Sequence, residues 1–133
     1  MTEPTTLPGL DGLLGLQIVS STKDSTVARL EGTPDHHQPF GLLHGGVLCS
    51  IVETVGSISG SVWYGGAVVG TSNHTNFLRA VRSGTLTATS TPVHRGRTQQ
   101  LWEVEIADEE GRLVAKGQLR LANLDPGAEL AKG

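Results

Sequence analysis

Two glycines, Gly45-Gly46, followed by a carboxylate at Glu53 and a hydroxyl at Ser57, hold the most chemistry in this chain. If the glycines open a helix, their backbone N–H groups lack intrahelical partners and sit at the positive end of the helix dipole. Glycine also lets a substrate approach the backbone closely. Such an N-terminus stabilises negative charge developing on an oxygen, while a carboxylate attacks a carbonyl carbon or activates water to do so. The combination suits acyl transfer.

Pattern supports the helix. From Gly45 to about Tyr64, a wheel with Glu53 at zero puts Gly46, Cys49, Ser50, Gly56, Ser57 and Gly60 within about 60° of it, and Val47, Leu48, Ile51, Val55, Ile58 and Val62 opposite. The apolar stripe is expected on a sheet. The other face is small residues around one carboxylate, and between Asp35 and Arg79 no other Asp, Glu, Lys or Arg occurs, so burial on both sides is expected. A membrane span is disfavoured, because a central carboxylate costs several kcal/mol in lipid and the Gly/Ser content is polar. At ~1.5 Å per residue, Gly45 and Glu53 stand about 12 Å apart, too far to touch one carbonyl. Two such helices packed antiparallel through their small-residue faces would bring Glu53 of one chain to Gly45 of another.

The rest reads as strands. Leu14, Leu16 and Ile18, then Thr26, Ala28 and Leu30, alternate around the turn Thr22-Lys23-Asp24-Ser25. Trp102, Val104 and Ile106 alternate with Glu103 and Glu105, and Leu113 to Leu121 follows Asp108-Glu109-Glu110-Gly111 as a second hairpin. Ala67 to Val69 and the threonine-rich Thr85 to Val93, with Thr85, Thr87, Thr89 and Thr91 at period two, complete an antiparallel, mostly meandering sheet. The fold class is α+β, one helix wrapped by a sheet.

With 133 residues the chain is one domain, its core over about 12–124 and weak tails over 1–9 and 125–133. A net charge of -3 leaves no global field for nucleic acid. One cysteine, Cys49, excludes an internal disulfide and a Cys-rich metal site, and its apolar neighbours mark it as a packing residue. No metal-ligand spacing accompanies His36 and His37, which read as solvated. The N-terminus lacks a basic signal region, which points to the reducing cytoplasm. So short a chain buries its core marginally, and oligomerisation is expected.

Charge is uneven. Between Glu53 and Glu103 there is no acid, yet Arg79, Arg82, Arg95 and Arg97 fall there with His74 and His94. Such an excess in a net-acidic chain points to a phosphorylated ligand, and coenzyme A joins phosphates to an acyl group.

Gln38-Pro39-Phe40-Gly41-Leu42-Leu43-His44-Gly45-Gly46, with Glu53, Gly56 and Ser57 behind it, resembles the hotdog-fold acyl-CoA thioesterases of the phenylacetate-pathway and hydroxybenzoyl-CoA type, most closely the 1,4-dihydroxy-2-naphthoyl-CoA hydrolase branch. The likeness continues through Val69-Gly70, Asn76, Arg79, Arg82, Pro92-Val93-His94, Gly96 and Trp102 to Ile106, over about residues 34–124. It implies thioester hydrolysis with no cofactor: Glu53 as nucleophile or general base, the Gly45 N–H polarising the carbonyl, Gln38 and His44 positioning it, and Ser57 assisting water or Glu53. His44 has a second reading, as a cap on the helix entrance. Coenzyme A contacts carry over onto Gly70, Phe77, Leu78, Arg79, Ala80, Arg82, His94, Arg95, Gly96, Arg97, Thr98 and Gln99. The resemblance also implies a homodimer with shared sites, assembled as a homotetramer. Two other readings stand beside it: a hotdog dehydratase or hydratase, against which the lack of an acid just before His44 argues, and an acyl-CoA sensor, which has no need of Glu53.

Overall fold

The computed structural model describes residues 3–126. In chain order the elements are β1 (Thr5–Thr6), α1 (Gly9–Leu14), β2 (Gln17–Ser21), β3 (Thr26–Gly32), a 3-10 turn at Pro34–His36, α2 (Gly45–Tyr64), β4 (Val68–Phe77), β5 (Gly84–Arg95), β6 (Gln99–Ala107) and β7 (Leu113–Asn123). All strand pairs are antiparallel, in the order β1-β2-β3-β5-β6-β7-β4. Both expected hairpins form, β2 with β3 and β6 with β7. The meander breaks once: after α2 the chain runs to the far edge as β4 and then returns to pair β5 with β3.

The core is the inner face of the sheet closed by α2. Leu30, Leu86, Ala88, Trp102, Val104, Ile106, Leu119 and Leu121 meet Val47, Leu48, Ile51, Val52 and Val55, all buried. Along β5, Thr87, Thr89 and Thr91 face outward while Leu86, Ala88 and Ser90 face inward, as a period of two requires. Polar groups inside this core are paired. The Trp102 indole N–H donates to Gln100 Oε1 at 2.7 Å, and Gln100 Nε2 donates to Gly60 O and Asn123 Oδ1. Ser59 bonds the hydroxyls of Thr26 and Ser90 at 2.8 and 2.6 Å, tying α2 to β3 and β5.

Four expectations change. The expected tail up to residue 9 and the expected strand at Leu14 and Leu16 do not form: Thr5–Thr6 make strand β1, which pairs with Ile18 and Gln17, and Gly9–Leu14 make helix α1. Residues 127–133 of the expected C-terminal tail lie outside the described residues. The strand expected at Ala67 to Val69 extends to Phe77, because β4 is held by backbone pairing with β7 and has little apolar alternation to announce it. Burial on both sides of α2 does not hold within this chain, where Glu53 is exposed. Nor is the small-residue face one surface for a partner helix. A Cβ on Gly56 would lie 2.7 Å from Leu119 Cδ2, and one on Gly60 2.9 Å from Gln100 Oε1, so these glycines let α2 settle onto β6 and β7.

By length and composition α2 could cross a membrane; in this chain its apolar side lies on the sheet.

Candidate active site

His44 stands just before α2 in an extended conformation, and its Nδ1 accepts the Gly46 N–H at 2.7 Å. The capping reading of His44 therefore describes its contact, and it leaves the first N–H, that of Gly45, without a side-chain cap. Gln38 shapes the approach. Its Oε1 accepts the N–H groups of Phe40 at 2.6 Å and Leu42 at 3.3 Å, and Gly41 turns the loop with φ of +80°.

Gln38 and Gly45 line a cavity of about 370 Å³ together with Phe77, Leu78, Arg79 and Ala80. Six of the residues singled out in the sequence thus converge. Phe77 lies so close over the helix start that a Cβ on Gly45 would come within 2.7 Å of its ring. Arg79 supplies a cation at the rim of an otherwise largely apolar space.

Glu53 faces elsewhere. It stands between two hollows, one of about 380 Å³ lined by Leu10, Asp11, Cys49, Ser50, Thr54 and Asn73, and one of about 300 Å³ lined by Leu7, Pro8, Asp11, Thr54, Ser57 and Ile58. Gly70 belongs to this neighbourhood, since a Cβ there would lie 4.0 Å from the Glu53 carboxyl carbon. The β4–β7 register shifts between Gly70 and Ser72, a bulge of the kind often found beside active sites. Cys49 lines the hollow as well as packing, with its carbonyl accepting the Asn73 side-chain amide at 2.9 Å.

The remaining sequence candidates divide. Arg95 is committed within the chain: it forms a 2.8 Å ion pair with Asp24 and lies 5.6 and 5.9 Å from the ring centres of Trp63 and Trp102. Gln99 Oε1 accepts from Arg120, and the carbonyls of Gly96, Arg97 and Thr98 accept from Asn123. This tip of β5 and β6, with exposed His94 and Arg97, lines neither the Gly45 cavity nor the Glu53 hollows. Arg82 reaches Gly41 O at 3.5 Å, the outer limit of a hydrogen bond.

His36 corrects the solvated reading. It is buried, with Nδ1 accepting the Thr33 N–H at 3.0 Å, so Nε2 carries the hydrogen that bonds Leu14 O at 2.7 Å. His37 bonds Arg82 O. Sequence reasoning missed Leu10, Asp11, Thr54 and Asn73. Asp11 accepts from the Thr54 hydroxyl at 2.6 Å across 43 positions, and nothing local in the sequence signals such a pairing.

One long helix lying against an antiparallel sheet is the hotdog architecture. Residues 40–115 match the thioesterase superfamily. The chain belongs to that superfamily and is a thioester hydrolase. A 1,4-dihydroxy-2-naphthoyl-CoA hydrolase from Listeria monocytogenes is 37% identical over 116 residues, covering 86% of this chain and 94% of its own. Among solved structures, AziG of S. sahachiroi aligns with a TM-score of 0.86 at 48% identity, over 89% of this chain and 98% of that one. A Haemophilus influenzae thioesterase aligns with a TM-score of 0.81 at 38% identity, over 86% and 82%.

Proposed function

We propose that the protein hydrolyses an acyl-CoA to the free acid and coenzyme A, at two equal sites each built by two copies of the chain. The observation that carries this reading is the division of the chemistry: the cavity holding Gly45 and Gln38 and the hollows holding Glu53 share no lining residue. Each half lacks what the other has.

A two-fold axis repairs the division. Among the described residues β4 ends the sheet, so one of its edges is unpaired over Val68–Phe77, an invitation to strand pairing. Its Gly70 end lies by Glu53 and its Phe77 end by Gly45. Antiparallel pairing of β4 with its own copy sets unlike ends side by side, and Glu53 of one chain then faces the Gly45 cavity of the other. This pairing replaces contact through Gly56 and Gly60.

In the assembled site the thioester oxygen takes the Gly45 N–H, and the Gln38 amide N–H₂ serves as a second donor, its Oε1 being held by the loop. Glu53 acts on the carbonyl carbon, either by adding a carboxylate oxygen or by taking a proton from the water that adds. Collapse of the tetrahedral intermediate breaks the C–S bond, and the thiolate leaves and takes up a proton as coenzyme A; in the nucleophilic route a water then hydrolyses the acyl–Glu53 anhydride to the free acid and the Glu53 carboxylate. Ser57 lines a Glu53 hollow, where a hydroxyl can orient that water. Arg79 receives the phosphates. An aromatic acyl group, 1,4-dihydroxy-2-naphthoyl or similar, comes first because the Listeria relative is named for it.

The test is thiol release from a panel of acyl-CoAs by the purified protein. Hydrolysis of at least one, abolished in Glu53→Gln, is expected. Silence across the panel, or full activity in Glu53→Gln, would sink the reading.

A further inference from the structure

α1 is an odd element. Its six residues bury no side chain, and Leu10 and Leu13 are 60% and 85% exposed. A helix this short has no stability of its own, and two bare leucines add nothing to a core. It is nonetheless firmly placed. β1 and β2 pair at its base, Gly9 and Gly15 turn the chain in and out with φ of +67° and +80°, and His36 holds the Leu14 carbonyl at 2.7 Å. On the opposite side the Thr54 hydroxyl clamps Asp11 at 2.6 Å, one residue along from Glu53. The outcome is a wall: Leu10 closes one hollow beside Glu53, and Leu7 and Pro8 close the other.

We infer that α1 is the specificity element of the acyl site. This rests on the thioesterase reading above, in which the acyl carbonyl sits between Glu53 and the partner's helix start. The acyl group must then extend into space next to Glu53, and the two hollows, about 380 and 300 Å³, are of the size that takes a small ligand group. Leu10 supplies an apolar stop there and limits the bulk of the acyl group. Asp11 is a positioning residue, fixing through Thr54 how far the stop stands from α2. The substrate class is an acyl group with an apolar end, its upper size set by residue 10.

The experiment compares a small and a bulky thioester, propionyl-CoA and 2-naphthoyl-CoA. Leu10→Ala should raise the bulky-to-small ratio of kcat/KM by about 5-fold or more, and Leu10→Phe should lower it, since apolar pocket volume discriminates by factors of this order or larger. Asp11→Ala and Thr54→Val, each of which removes one end of the hydrogen bond, should shift the ratio in the direction of Leu10→Ala, and the double variant should add little to either, as expected of two ends of one clamp. Leu10 is exposed, so its variants should keep the wild-type Tm. An unchanged ratio in both Leu10 variants, or equal losses on the two substrates, overturns the proposal. Binding separates this failure from failure of the chemistry. The same two thioesters are titrated into Glu53→Gln and Glu53→Gln/Leu10→Ala; a ratio of Kd values that does not move between them rejects the wall even if no thioester is hydrolysed.

Discussion

At the scale of single residues, the proposed roles separate cleanly by experiment. Glu53→Gln keeps volume and removes the nucleophile or base, so turnover should fall about 100-fold or more while the exposed position leaves folding intact; thermal melts beside steady-state kinetics check both halves. Gly45→Ala should act differently. Its Cβ would meet the Phe77 ring at 2.7 Å, but that ring is 55% exposed and can swing away, so the variant should fold and lose kcat through crowding at the N–H. Arginines divide by what they touch. Arg79→Ala should raise KM on acyl-CoA and leave a pantetheine thioester of the same acyl group almost untouched, because phosphates do not change during hydrolysis. Arg95→Ala should treat both substrates alike and lower Tm, since its guanidinium serves Asp24 and two tryptophans.

Elements carry their own predictions. α2 owes its seat to glycines, and Gly60→Ala should destabilise by about 1–3 kcal/mol, since the new methyl meets Leu121 and the buried Gln100 amide and neither can move freely. Denaturant midpoints at constant slope would show this. The β6–β7 turn is held by Asp108. Partial burial raises its pKa, but N–H groups of Arg112 and Glu110 and the Arg112 guanidinium outweigh it, leaving the carboxyl below its ordinary 3.8. A depressed folded pKa stabilises above the unfolded value and loses that contribution as pH falls through the folded one. The Tm gap between wild type and Asp108→Asn should therefore be full at neutral pH and shrink below about pH 4.

At the scale of the whole molecule, shared sites predict complementation. Glu53→Gln and Gly45→Val are each inactive alone, yet a mixed dimer contains one site with intact Gly45 and intact Glu53. Activity should reappear after subunit exchange, up to about a quarter of wild type from random mixing with two sites per dimer. No recovery under conditions proven to exchange subunits would remove the shared site. Light scattering of the purified wild type should give at least a dimer, and a monomer that hydrolyses acyl-CoA would remove the shared site.

Local pattern determined much of this protein. The helix from Gly45 to Tyr64, both hairpins and the inward face of β5 were legible because their periods of 3.6 and 2 are written in neighbouring residues. The helix start at Gly45 was legible as glycine placement. Tertiary structure decided what neighbours in sequence cannot express. β4 is set by its pairing with β7, so its polar residues gave no alternation beyond Val69. Gly56 and Gly60 sit near Glu53 on an ideal wheel, yet the twisted sheet wraps over them and leaves Glu53 open. Asp11 meets Thr54, and His36 meets Leu14, only after the sheet has brought distant segments together. Hydrogen bonds across such separations depend on where the fold puts two atoms, and residue type and spacing alone do not encode that.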